Sequence, residues 1–381
     1  VSTTSRFLNL DNTSAPTKLF FGQRLGIFDT VHQTFPEIDR FGKLQKALDW
    51  DERDIAMPTL RDELERSDPF ERDQLINTIA WQWETDTQAA RMLVAILAPF
   101  ISYDGLNRAY LEIQRNECVH GATYSEIVRN GFADPSMVMA DISSRQFAFE
   151  RLRPASTIFD EAYEASLDYA AGRRPLNGEL VETLLKFLVA VNTMENTQFA
   201  PSFSVAAFYN LNSQYVTATE NIQRIAQDEL QVHVPFGQAV LDLFMRTDEG
   251  LMAFLRCREW IADFIRQVVK SEQTWNHEIL FKERDSIQGK KISHSATKAD
   301  RYVLWQANKL EKFYQMDCGL EKIDEHPIAW IEPWLDISSR QSSPQELRSG
   351  TYILGELVRR LPAGPMPFKL SATRQPWQPR R

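Results

Sequence analysis

The chain has 381 residues and is 43% hydrophobic, 25% charged and 11% aromatic, a profile that supports a sizeable core and excludes disorder over most of its length. Its 43 Lys and Arg against 52 Asp and Glu give a net charge of -9, so it lacks the general basic field on which nucleic-acid affinity depends. The longest uninterrupted apolar run, Met92 to Ile101, is far short of the roughly 20 residues that a membrane-spanning helix needs. Neither a nucleic acid nor a membrane is expected as a partner. Val1 to Leu19 is studded with Ser, Thr, Asn and Asp and lacks the basic-then-apolar order of a secretory signal. Three widely separated cysteines, Cys118, Cys257 and Cys318, form neither a disulfide framework nor a Cys-x-x-Cys site, and a reducing, cytoplasmic setting is expected.

Fifteen glycines and 18 prolines are few for this length, and the apolar residues recur at three and four rather than at alternate positions. The chain is therefore predicted to be all-α. Residues 1–17 are expected to form a flexible arm, 18–335 a single helical domain, and 336–381 a tail. Asp68-Pro69 opens a predicted helix that runs to about Pro99, with Pro at a favoured first position. Tyr103-Asp104-Gly105 starts another that continues to about Asn130. Further helices are predicted at about 157–172, 178–209, 214–245, 249–284 and 298–317. Past Trp334 the helical period fades, and Arg359 to Arg381 carries five prolines with scattered Arg and Lys, as an extended tail would.

The informative residues are those that interrupt the apolar stripes of the central helices. Asp86 falls in line with Ile79, Trp83, Ala90, Leu93 and Leu97. Glu117 and His120 share a face with Ile113, Tyr124 and Ile127. Glu195 lies among Leu184, Leu188, Val191 and Phe199, and Glu229 and His233 among Ile222, Ile225 and Phe236. An unpaired buried charge costs several kcal/mol at least, so four inward carboxylates need compensation. Two divalent cations would neutralise Asp86, Glu117, Glu195 and Glu229. A bundle that holds two metals takes one carboxylate from each of two helices, and a carboxylate with a histidine one turn later from each of the other two. Of the six histidines, only His120 and His233 have a Glu three or four residues upstream. An oxygen-rich set with two imidazoles suits iron or manganese better than zinc. The bland alternative is ion pairing, with Arg91, Arg129 and Arg224 as candidate partners. Cys118 is read as a small buried hydrophobe.

These residues make the chain resemble the radical-generating small (beta) subunit of class I ribonucleotide reductase, a ferritin-like dimetal-carboxylate family, from about Lys18 to Leu357. Leu19-Phe20-Phe21-Gly22 and Leu48-Asp49-Trp50 carry the resemblance near the start. Glu117-Cys118-Val119-His120-Gly121-Ala122-Thr123-Tyr124 is similar to the family's Glu-x-x-His-x-x-x-Tyr segment, and Ile225-Ala226-Gln227-Asp228-Glu229 to its Ile-Ala-Arg-Asp-Glu run. His326-Pro327-Ile328-Ala329-Trp330-Ile331 and Ser343-Pro344-Gln345-Glu346 extend it towards the end.

The resemblance implies that Asp86, Glu117 and His120 bind one metal and Glu195, Glu229 and His233 the other. A dinuclear iron centre is expected, with dimanganese or a mixed pair as variants. It further implies that O2 activation leaves Tyr124 as a phenoxyl radical in an apolar pocket of Phe199, Phe203 and Ile225. Trp50 and Asp228 would begin, and Tyr352 in the tail would continue, a route of proton-coupled electron transfer to the large subunit. That partner would bind through the tail and reduce ribonucleotides there, and the chain would be a homodimer.

Three departures from the family stand out. Glu229-Leu230-Gln231-Val232-His233 has one more residue than Glu-x-x-His, which turns His233 by about 100° on a regular helix unless the turn is overwound or bulged. Pro235, which lacks an N-H, predicts a distortion beside it. The 29 residues after Tyr352 replace the family's short acidic tail. Two other readings stand beside this one: a ferritin-like dimetal oxidase or hydroxylase acting on a small molecule, and a metal-free helical scaffold.

Overall fold

A computed structural model describes residues 8, 10–282 and 284–339; the tail that carries Tyr352 lies outside the described residues. The helices start where the sequence supplies caps. In α3 (Pro69–Leu97) the Asp68 carboxylate accepts from the Phe70 N-H at 2.9 Å and Pro69 takes the first position. Asn177 caps α7 (Gly178–Thr193), Thr247 caps α11 (Asp248–Trp275) and Ser295 caps α12 (Ala296–Tyr314), each through its side-chain oxygen. The second long helix, α4 (Asp104–Gly131), has no such cap; Tyr103 instead anchors its start by donating from its hydroxyl to Asp39 at 2.6 Å. Asp39 belongs to α1 (Pro36–Ala47), which the periodicity left unassigned, as it did α2 (Leu60–Arg66), α5 (Pro135–Ser144) and the short α13 (Glu332–Leu335).

Around these the chain adds α5 (Pro135–Ser144), α6 (Gln146–Ala170), α8 (Phe199–Leu211), α9 (Val216–Asp228), α10 (Val234–Met245) and the short α13 (Glu332–Leu335). The helix predicted from 157 begins eleven residues earlier and runs through Pro154. The all-α expectation holds apart from one antiparallel hairpin, β1 (Ser286–Gln288) with β2 (Ser293–Ser295), where Ile287 faces His294.

The predicted helices 178–209, 214–245 and 249–284 are each interrupted by a π-turn: Met194–Gln198, Glu229–His233 and Asn276–Leu280. A π-turn closes its hydrogen bonds on i+5 and so accommodates one extra residue without breaking the helix. The first two fall on the carboxylates singled out above. Helices α3, α4, α7 and α9 surround a continuous apolar core in which Leu93, Ile113, Leu184, Leu188, Ile222 and Ile225 are all buried. No described helix is long and apolar enough to cross a membrane.

Candidate metal centre

Asp86 comes from the middle of α3, Glu117 and His120 from one face of α4, Glu195 from the π-turn after α7, and Glu229 and His233 from the two ends of the π-turn after α9. All six are buried. Asp86, Glu117, His120 and Glu229 each present a ligand atom within 4.8 Å of the other three. His120 Nδ1 lies 2.9 Å from Glu229 Oε1, 3.4 Å from Glu117 Oε2 and 3.7 Å from Asp86 Oδ2. His233 Nδ1 lies 2.8 Å from Glu229 Oε2 and 3.1 Å from Glu117 Oε1. Glu117 and Glu229 therefore each face both histidines, one with each carboxylate oxygen, and Glu195 stands against Glu229.

The π-turn explains how His233 arrives. Three intervening residues across a π-turn occupy the angular place that two occupy across an α-turn, so His233 returns to the face of Glu229. The extra residue is absorbed locally and α10 continues beyond it.

Both imidazoles are held from behind. His120 Nε2 meets Asp228 Oδ2 at 3.3 Å, an oxygen that also accepts from Trp50 Nε1 at 2.7 Å and Asn116 Nδ2 at 3.1 Å. His233 Nε2 meets Gln45 Oε1 at 3.1 Å. With a metal bound, these acceptors would hold the ring proton on Nε2 and leave the Nδ1 lone pair turned towards the carboxylates, the arrangement a metal requires. The Trp50 and His120 rings lie nearly parallel, with centroids 6.1 Å apart.

Within the cluster, both oxygens of Glu117, Oε1 of Glu229, Oε2 of Glu195 and Nδ1 of His120 are buried without a hydrogen-bond partner. Burial raises the pKa of Asp86 and of Glu195, and the neighbouring carboxylates push the same way. Burial alone would lower the two histidines, but the carboxylates outweigh it, raising His120 and pushing His233 up to about 10. Burial opposes ionisation of Glu229, yet the two histidines hold it well below the ordinary carboxylate range. Two divalent cations would satisfy the orphaned atoms and cancel the four charges, so the residues fit a dinuclear centre of iron or manganese. The ion-pair alternative finds no support at those three arginines: Arg129 pairs with Glu126 at 2.7 Å, Arg224 with Asp54 at 2.9 Å, and Arg91 is exposed.

Tyr124, wholly buried, donates its hydroxyl to Asp86 Oδ2 at 3.0 Å. Burial, reinforced by Asp86, raises its pKa, which keeps the phenol protonated. Phe199 and Phe203 stack with centroids 5.2 Å apart, and both are fully buried, as is Ile225.

No family model matches the chain. It is 24% identical over 365 residues to the ribonucleoside-diphosphate reductase 1 subunit beta of Escherichia coli O157:H7, covering 92% of this chain and 95% of that protein. It is 21% identical over 371 residues to the corresponding subunit of Enterobacteria phage T4, covering 89% and 92%. The chain is a relative of the ribonucleotide reductase beta subunits. The ribonucleotide reductase R2 subunit from Clostridium botulinum has the same fold, with a TM-score of 0.69 at 15% identity over 87% of this chain and 98% of that one. The dimanganese(II) NrdF of Streptococcus sanguinis follows at 0.60 and 17%, over 76% and 93%.

In this ribonucleotide reductase relative, the apolar periods singled out the six inward groups and Tyr124, the family resemblance added Trp50 and Asp228, and the structure brings all nine side chains into the contacts described. Sequence reasoning missed Asn116, although that residue directly precedes Glu117, and Gln45, which had no signal because its helix was not assigned. Cys118 is corrected: it is exposed, on the outer side of α4, rather than buried.

Proposed function

We propose that the chain is the small subunit of a class I ribonucleoside-diphosphate reductase, forming and storing a radical on Tyr124 and passing it to the large subunit. The observation that carries the reading is the continuity of Trp50, Asp228, His120, the carboxylate cluster and Tyr124 through buried contacts. When bound, a pair of iron or manganese ions supplies O2 activation.

Tyr124 loses one electron to that chemistry. Asp86 Oδ2, its hydrogen-bond acceptor, is the atom placed to take the phenolic proton, leaving a neutral phenoxyl radical. Phe199, Phe203 and Ile225 are buried residues suited to keep water and reductants away from it. In transfer, Trp50 gives an electron inward and its indole proton to Asp228 Oδ2, and Tyr124 is reduced and reprotonated. Tyr352 then re-reduces Trp50 and is itself re-reduced by the large subunit, where ribonucleotide reduction takes place. Association through the tail, a homodimer and a cytoplasmic setting complete the proposal.

A dimetal oxidase acting on an organic molecule would need room beside the carboxylates. The cavity bounded by Glu117, Glu195, His233 and Tyr110 is about 30 Å³, space for a water-sized molecule. A self-contained oxidase also has no use for a link from Trp50 through Asp228 to His120.

The test is low-temperature electron paramagnetic resonance on protein loaded with ferrous iron and exposed to oxygen, with metal quantified in parallel. A tyrosyl signal that disappears in Tyr124→Phe while metal is retained is expected. Retention of that signal in Tyr124→Phe refutes the radical assignment, and absence of metal from the wild type revives the scaffold.

A further inference from the structure

Glu117 and His120 are separated by two residues on a regular α-helix, whereas Glu229 and His233 are separated by three on a π-turn. The second arrangement is usable only while the turn stays wide. Tightened to α geometry, it would swing His233 by about 100° away from the carboxylates. Pro235 has no N-H and supplies no hydrogen bond back into the turn, so the backbone alone ties it weakly.

A side chain from another helix supplies a tie. Asn192 of α7 donates from Nδ2 to the carbonyl of Val234, the residue next to His233, at 3.1 Å. It is 2% exposed and lies among Leu185, Leu188, Val189 and Ala190, all buried, where an amide is costly unless it is bonded. The fit is close on the far side as well. A Cβ at Gly237 of α10 would meet Asn192 Nδ2 at 3.0 Å, tight enough to press on the amide. Asn192 is one helical turn before Glu195, lines the same cavity as Glu195 and His233, and its Oδ1 has no hydrogen-bond partner. The other ligand-bearing π-turn is tied in the same way: the carbonyl of Gln198, its last residue, accepts from Arg151 Nη2 at 2.6 Å.

We infer that Asn192 is the positioning residue that holds the Glu229–His233 π-turn open and so sets where His233 presents Nδ1, a requirement created by the extra residue in that pair. The inference rests on the reading of the six residues as metal ligands.

The experiment titrates the metal-free full chain with Mn(II), counting ions per chain and their separate affinities, with thermal unfolding of the metal-free protein alongside. Wild type is expected to bind two ions, and His233→Ala identifies the one His233 holds. Asn192→Leu and Asn192→Asp both lose the Nδ2 donor, and only the second keeps an oxygen. Each is expected to weaken that same ion about tenfold or more, the usual effect of losing a group that orients a ligand, and to leave the other ion nearly unchanged.

Deleting Gln231 restores the two-residue separation and removes only the extra residue, so α10 keeps its phase. In that background Asn192→Leu is expected to have no further effect. Unchanged binding in both Asn192 variants overturns the inference. So does wild-type binding in Asn192→Asp alone, which would make Oδ1 the operative atom, or the same weakening by Asn192→Leu in the deletion background. If the deletion does not fold, the Leu and Asp variants decide. A wild type that binds fewer than two ions refutes the ligand reading instead.

Discussion

Asp228→Asn tests how the centre is supported from outside. Asp228 Oδ2 accepts from Trp50 Nε1 at 2.7 Å, Asn116 Nδ2 at 3.1 Å and His120 Nε2 at 3.3 Å, and the residue is wholly buried. Asparagine keeps the shape and an acceptor oxygen but removes the charge. Hydrogen bonds to a charged group contribute about 1.5–3 kcal/mol and neutral ones about 0.5–1.5 kcal/mol. The bond to His120 is long, so the loss there belongs at the lower end, about 1–1.5 kcal/mol, or roughly tenfold in affinity. Calorimetric titration of the metal-free protein with Mn(II) is expected to show the ion at His120 weakened by that factor and the ion at His233 unchanged. Gln45→Leu should give the mirror image, weakening the ion at His233 by less, because a neutral bond is lost there. Equal weakening of both ions in either variant, or no change in Asp228→Asn, would refute the assignment of one supporting group to each histidine.

The remaining expectations concern the rest of the core. Arg151 packs against both Trp81 and Trp275, with its guanidinium carbon 3.7 and 4.3 Å from their ring centroids, and pairs with Glu272 in the interior. Arg151→Ala strands the Glu272 carboxylate and should cost about 3–5 kcal/mol in urea unfolding, whereas Arg151→Met with Glu272→Met should recover most of it. A single-variant cost below about 1 kcal/mol would contradict that account of a stranded charge. His294, buried and bonded to Ser204 at 2.8 Å, has its pKa lowered to about 3 by burial and by Lys298. Its unfolded value is about 6.5, so its contribution is complete above that pH and is lost as pH falls towards 3, by about 1.4 kcal/mol per pH unit. The stability difference between wild type and His294→Gln should narrow with that slope between about pH 6 and 4. A difference independent of pH would mean that the imidazole protonates in the folded state.

What could be read from the sequence follows from the range of the interactions involved. Asp86, Glu117, Glu195 and Glu229 were visible because each breaks a local apolar period, and that period survives in α3, α4, α7 and α9. The π-turn at Glu229–His233 was half visible, since the extra residue and Pro235 announce a distortion without specifying its form. Gln45, Asn192 and Arg151 left no such trace. Gln45 meets His233 across 188 residues, Asn192 meets Val234 across 42 and Arg151 meets Glu272 across 121, and nothing local records a partner that distant. Helices α1, α2, α5 and α13 went unassigned because α1 buries Asp39 and Gln45 as well as apolar residues, α2 and α13 are only 7 and 4 residues long, and α5 buries only Ile142.

Cys118 gives the molecule a built-in observation point. It is exposed, while Cys257 and Cys318 are buried, so a thiol-directed spin label should attach there selectively. It sits between Glu117 and His120 in sequence but on the opposite side of α4, roughly one helix diameter, about 10 Å, from whatever those two residues hold. Paramagnetic ions at that range broaden a nitroxide spectrum steeply with distance. A label on Cys118 would thus report the filling of the interior from outside, one ion at a time, without altering any residue of the centre.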